Sequence, residues 1–161
     1  MFQTRQIRPG LFRLILLAAI AIPSISGGVT AHGYKRKTLE IIHPWTSERA
    51  EANGRDAIVG LSIRNSGKQA ERLQYAISPI ADSVELRPDP ANGAIRPGAA
   101  LTIEIKPGQE VHLRPSGAHV RLIGLKKSLT PYDTLPVTLV FERAGRIAVD
   151  VLVEEATPTE K

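Results

Sequence analysis

Leu101-Thr102-Ile103-Glu104-Ile105-Lys106-Pro107-Gly108 opens the stretch that decides the fold class. Leu101, Ile103 and Ile105 alternate with Thr102 and Glu104. Successive side chains of a strand point to opposite faces, so this spelling gives one apolar and one polar face. Lys106-Pro107-Gly108 is turn chemistry. The pattern then repeats. Val111 and Leu113 alternate with Glu110, His112 and Arg114, Pro115-Ser116-Gly117 turns the chain, and Ala118, Val120 and Leu122 alternate with His119, Arg121 and Ile123. Short runs separated by such turns are antiparallel strands.

The same spelling extends both ways. Thr134 to Phe141 is apolar and rich in β-branched residues, Ala144-Gly145 punctuates it, and Ile147, Val149, Val151 and Val153 share one face of a last strand. Upstream, Ile58 to Ile63 runs to Asn65-Ser66-Gly67, and Leu73 to Ile77 resumes. Only Ser47 to Asn53, stopped by Gly54, suits a brief helical turn. The expectation is one all-β domain, an antiparallel β-sandwich, over residues 32–153. The polar tail 154–161, with Pro158, is expected to fray.

Residues 1–31 read as a secretory signal peptide. Arg5, Arg8 and Arg13 precede the apolar run Leu14 to Ile22, Pro23 breaks it, and Val29-Thr30-Ala31 suits cleavage. The run is shorter than the ~20 residues of a membrane span. Export to the periplasm is therefore expected, with no membrane span after cleavage. The formal charge of +5 loses the three leader arginines, which leaves +2 on 130 residues. That is an ordinary soluble surface and no argument for nucleic acid. Lys35-Arg36-Lys37 reads as a solvated basic run.

The chain has no cysteine, and its only sulfur is in Met1, inside the leader. No disulfide is possible, so stability rests on a packed core. No G-x-S-x-G, C-x-x-C, H-E-x-x-H or phosphate loop occurs, and no Ser/His/Asp spacing picks out a triad. A binding or carrier protein is expected, not an enzyme.

Several strings together resemble the PCu(A)C family of periplasmic copper chaperones. They are Ala31-His32-Gly33-Tyr34, Leu39 to Trp45, IVGLSIRN at 58–65, Ser78 to Leu86, Ile105 to Gly108, Leu113 to His119, Leu122 to Leu129, and Val137 to Glu142. The resemblance covers about His32 to Val153. It implies a cupredoxin-like β-sandwich that hands Cu(I) toward cytochrome oxidase assembly by ligand exchange at an exposed site. It also implies two H-x-M pairs and a further loop methionine as ligands. Thioethers suit the soft Cu(I) ion, and the i, i+2 spacing puts both members of a pair on one face.

This chain departs from that pattern. Arg87 stands for the first histidine and Asp89 for its methionine. The loop 90–100 offers Ile95 and Arg96. His119 is kept, but its partner is Arg121. A guanidinium has no lone pair for a metal. Two readings of this face stay open. In one, His119 remains a copper ligand in an altered site. In the other, the protein is a metal-free adaptor that binds a protein partner or an anionic ligand through Arg87, Asp89 and Arg121. A further candidate is His32. Cleavage after Ala31 would make it the N-terminus, where its α-amine and imidazole can chelate Cu(II) without sulfur. Copper is thus the expected cargo, as Cu(II) rather than Cu(I), and a copper-donating or copper-accepting periplasmic protein the expected partner. His43, before Pro44-Trp45, is assigned to packing, with Trp45 as a core anchor. His112 is assigned to the surface.

Overall fold

The computed structural model describes residues 33–47, 55–87, 89 and 101–156. They form ten strands: β1 (Gly33–Arg36), β2 (Leu39–Ser47), β3 (Ala57–Asn65), β4 (Glu71–Ile77), β5 (Ala81–Arg87), β6 (Ile103–Ile105), β7 (Glu110–Leu113), β8 (His119–Leu125), β9 (Thr134–Phe141) and β10 (Gly145–Glu154). No helix occurs among the described residues. The alternating faces fall as spelled. Ile103 and Ile105, Val120 and Leu122, and Val149 and Val151 point into the core, while Glu104, Glu142 and Arg146 are exposed.

Pairing runs through one barrel-like sheet in the order β5-β8-β3-β2-β10-β9-β4-β6, with β1 on β2 and β7 on β3. Every pairing is antiparallel except β2 with β10, which is parallel at Trp45–Leu152, Thr46–Val153 and Ser47–Glu154. The sheet is thus antiparallel, as expected, with one short parallel pairing added. The parallel pair joins the first long strand to the last one, which hairpins cannot do.

Two strands change partners halfway. β2 pairs with β1 over Leu39–Ile42 and with β10 from Trp45 onward. The register against β3 shifts between Ile42 and Trp45, and His43 there has φ +48°. Positive φ in a non-glycine residue is unfavourable and marks a bulge. His43 is therefore not packed in the core, as the sequence suggested. It is exposed, and its Nε2 lies 2.9 Å from the Glu154 carboxylate. Glu154 thus belongs to β10 and not to a frayed tail. The change of partner on β3 falls at Gly60. β8 pairs with Ala57–Val59 and β7 with Leu61–Arg64.

Trp45 is half-buried, not a core anchor. It is the cross-strand partner of Gly60. A Cβ on Gly60 would sit 2.6 Å from the indole Nε1 and 2.7 Å from Cε2, so the ring occupies the space that glycine leaves. Of the residues assigned to a brief helical turn, Ser47 ends β2, and 48–53 lie outside the described residues, as do the leader and His32.

Buried polar groups are satisfied at the far end of the sheet. Asn65 donates from Nδ2 to the carbonyls of Gln69 (2.8 Å) and Ile105 (3.1 Å) and accepts from the Gly67 amide. The buried Glu71 carboxylate accepts the amides of Arg72, Arg143 and Ala144 at 2.8–2.9 Å, which ties β4 to the β9–β10 turn. Glu71→Ala strands these donors and is expected to cost about 3 kcal/mol. Glu71→Gln, which keeps one acceptor oxygen, is expected to cost less. The urea midpoints of the two variants, compared at equal slope, check the order.

Candidate metal centre

The candidate residues lie on the outer face where β5, β8 and β3 run side by side. Val120 and Leu122 are fully buried, so His119 and Arg121 between and before them face outward. Leu86 is buried in the same way, which turns Glu85 and Arg87 outward. The β5–β8 register sets Arg87 opposite His119 and Glu85 opposite Arg121. Directly opposed residues on one face have Cβ atoms about 5 Å apart. The fold therefore brings Arg87, His119 and Arg121 together.

Both arginines are engaged within the chain. Arg87 Nη2 lies 2.6 Å from Glu85 Oε2, with both side chains about two-fifths exposed. Water screens such a pair, so it stabilises little, but it does offset the charge. Arg121 Nη2 donates to Asp56 Oδ2 at 2.8 Å, and the Asp56 side chain is only 5% exposed. Asp56 Oδ1 also accepts the Gly124 amide at 3.0 Å. A buried carboxylate needs such partners, because desolvation is otherwise uncompensated. The Arg121 side chain thus helps hold β8 to the segment entering β3.

His119 is half-buried, and its Nδ1 lies 2.9 Å from the Gly117 carbonyl oxygen. A carbonyl only accepts, so Nδ1 carries the proton and the neutral ring keeps its lone pair at Nε2. A hydrogen bond of this kind at the other ring nitrogen fixes the tautomer of metal-binding histidines. Asp89 sits near the same turn. A Cβ on Gly117 would stand 3.5 Å from its Oδ2. Asp89 lines a cleft of about 380 Å³ with Glu104, His112 and Arg114. His112 is exposed, as expected, and its Nδ1 is 2.7 Å from Ser62 Oγ. His32, Ile95 and Arg96 lie outside the described residues.

Among the described residues no three His, Cys, Asp or Glu side chains converge as a metal-binding group. The donor set on this face is one imidazole nitrogen with nearby carboxylates, and no sulfur. Nitrogen and oxygen donors suit Cu(II), whereas Cu(I) favours thioether or thiolate. Asp56 went unnoticed in the sequence because it stands 65 positions from Arg121, and nothing in its neighbourhood marks it.

Arg121→Met removes the cationic partner of a buried carboxylate and is expected to destabilise the fold by about 3 kcal/mol. Adding Asp56→Asn should recover part of that loss. Chemical denaturation of the single and double variants, treated as a double-mutant cycle, measures the coupling.

The LpqE-like family model matches residues 39–153. A Leifsonia xyli subsp. xyli protein named as a lipoprotein, Lxx21020, is 28% identical over 158 residues, spanning 94% of this chain and 92% of that one. The apo PCuAC domain from PmoF1 superposes with a TM-score of 0.67 at 30% identity, covering 78% of this chain and all of that domain. The copper-bound PCuAC domain from PmoF2 gives 0.65 at 28% identity, covering 78% and 99%. DR1885 from Deinococcus radiodurans, at 19% identity and a TM-score of 0.59, shares the fold. The chain belongs to the LpqE-like family, and its cupredoxin-like β-domain is of the PCuAC type.

Proposed function

We propose that this protein is an exported, non-enzymatic copper carrier whose site uses nitrogen donors in place of sulfur. The observation that carries the proposal is His119. It stands on the outer face of a PCuAC-type domain with Nδ1 held by the Gly117 carbonyl and Nε2 left to accept a metal. The likeness to a copper-bound domain of the same type supports copper as cargo. His32 supplies a second route: as a free N-terminus it would chelate Cu(II) through its amine and imidazole. Transfer would proceed by ligand exchange with a periplasmic donor or acceptor, in support of cytochrome oxidase copper delivery. The leader residues 1–31 and the lipoprotein name of the Leifsonia relative support export. None of the 161 residues is a cysteine, so none can carry a thioether-linked lipid.

A second reading rests on a separate observation. Arg121 and Arg87 are matched to Asp56 and Glu85, so each cation of this face has a carboxylate partner within the chain. A metal-free adaptor would use that face to meet a partner. The neutralised charges favour a protein surface over a small anion.

Copper titration of the processed protein separates these readings. Cu(II) is expected to bind and Cu(I) to be lost readily to a competing chelator. Both His32 donors must be deprotonated, so Cu(II) affinity should fall as pH drops through about 8 to about 6.5, the reference range of an α-amine and an imidazole. One residue added before His32 should weaken the terminal chelate, and His119→Ala should remove binding at the β-sheet face. Absence of copper binding in every form would leave the adaptor. Stoichiometric retention of Cu(I) against the chelator would overturn the nitrogen-donor proposal. Mass measurement of the exported protein should place its first residue at His32.

A further inference from the structure

Four turns are tied together at one end of the sheet. The β1–β2 turn is Lys37-Thr38, and the Thr38 carbonyl accepts the Ser66 amide of the β3–β4 loop at 2.9 Å. Asn65, at the end of β3, bonds through its main chain to Gly108 and Gln109 of the β6–β7 turn. Glu71, at the start of β4, holds the β9–β10 turn through the amides of Arg143 and Ala144. A cleft of about 390 Å³ opens between these turns. Lys37, Lys68 and Arg143 line it, one cation from each of three turns, together with Thr38.

Among the described residues no ion pair involves Lys37, Lys68 or Arg143. The carboxylate in the lining is Glu71, which is 5% exposed and has its oxygens taken by three main-chain amides. Arg36, Lys106 and Arg146 are exposed around the same end, against Glu142 and a Glu110 that Arg64 matches at 2.7 Å. Past the leader the chain carries a formal charge of only +2, so positive charge is concentrated here. Cations around a concave surface focus the field on an incoming anion. The cleft is also built in advance. Arg143 Nη1 donates to Gln69 Oε1 at 3.2 Å, which orients the guanidinium and leaves it further N–H groups to donate. A Cβ on Gly67 would stand 2.8 Å from Thr38 Oγ1, so the glycine makes room for that hydroxyl. Lys37 has φ +55°, a conformation that favours glycine or asparagine in a tight turn. Backbone strain of this kind concentrates where a side chain has a task.

We propose that this cleft binds a phosphate group, free or carried by a larger molecule. Arg143 offers a planar fork to two of its oxygens, Lys37 and Lys68 act as point charges, and Thr38 donates from its hydroxyl. A phosphate bears close to two charges and presents oxygens in several directions, which suits cations arriving from separate turns better than a carboxylate would. The site stands apart from the copper reading, since neither His119 nor His32 takes part in it.

The test is titration of the copper-free protein with sodium phosphate, followed by amide NMR, with sodium chloride at matched ionic strength as the reference. Saturable shifts are expected in the turns at 37–38, 67–69 and 143–144 with phosphate and not with chloride. Arg143→Gln and Lys68→Gln should each weaken phosphate binding about tenfold. Lys126→Gln should leave it unchanged, because Lys126 lies at the β4–β5 turn, where its Nζ donates to the Pro79 carbonyl. Lys37→Asn should weaken phosphate binding without lowering the urea midpoint, since asparagine tolerates the left-handed region. Co-sedimentation with vesicles of phosphatidylglycerol and phosphatidylcholine, against phosphatidylcholine alone, identifies the source of the phosphate. Pelleting that Arg143→Gln abolishes assigns a lipid headgroup, and phosphate binding without pelleting assigns a soluble phosphate. Shifts equal to those in chloride together with no pelleting, or binding that survives both Arg143→Gln and Lys68→Gln, overturn the proposal.

Discussion

Closure of this domain depends on three residue pairs of parallel β-ladder. β5, β8, β3 and β2 form one run of the sheet, and β10, β9, β4 and β6 form the other. Among the described residues, the ladder of Trp45–Ser47 against Leu152–Glu154 is the one strand pairing on the path that joins them. In a chain without cysteine no covalent staple supports it. What does support it is local: the β2 bulge that frees the strand from β1, the buried Thr46 whose Oγ1 donates to the Ile58 carbonyl at 2.8 Å, and the His43–Glu154 contact. Val153 and Val151 are fully buried beside it. The hydrophobic core between the two runs then does what a disulfide does in smaller secreted domains.

The face that carries Arg87, His119 and Arg121 lies on the first of these runs and depends on how it is organised. β3 spends its N-terminal half with β8 and its C-terminal half with β7, and Gly60 marks the change. Where β7 gives way to β8, the turn through Gly117 supplies the carbonyl that orients His119. The direction of the imidazole thus follows from strand topology and from a backbone carbonyl.

Much of this was legible in the sequence. Strands β3, β4, β6, β7, β8, β9 and β10 were readable because period-2 alternation and turn residues are local signals. What escaped was non-local. The β2 bulge interrupts a run that reads as continuous from Leu39 to Trp45, because nothing local says that the strand must trade one partner for another there. β1 carries no alternation, and Lys35-Arg36-Lys37 is exposed as read, but nothing local shows that Arg36 donates to the Arg146 carbonyl at 3.2 Å or that Tyr34 bridges to Asp150. Glu154 looked like tail because its value to the fold is a contact with His43. Family resemblance singled out positions 87, 89, 119 and 121, and the strand register brings 87, 119 and 121 together. It could not show that Arg121 is tied to Asp56, because an ion pair between distant positions leaves no mark on either neighbourhood.

That ion pair also governs the order in which changes at this face can accumulate over generations. An arginine that arises opposite a buried carboxylate becomes entrenched, because the carboxylate then relies on it. A lineage in this state cannot place an uncharged side chain at position 121 in one step without passing through a less stable intermediate. The viable path changes position 56 first, where neutralisation is milder, and position 121 afterwards. Replacement of Arg121 is thus harder than replacement of a solvated arginine, and the difference comes from one hydrogen-bonded pair behind the sheet.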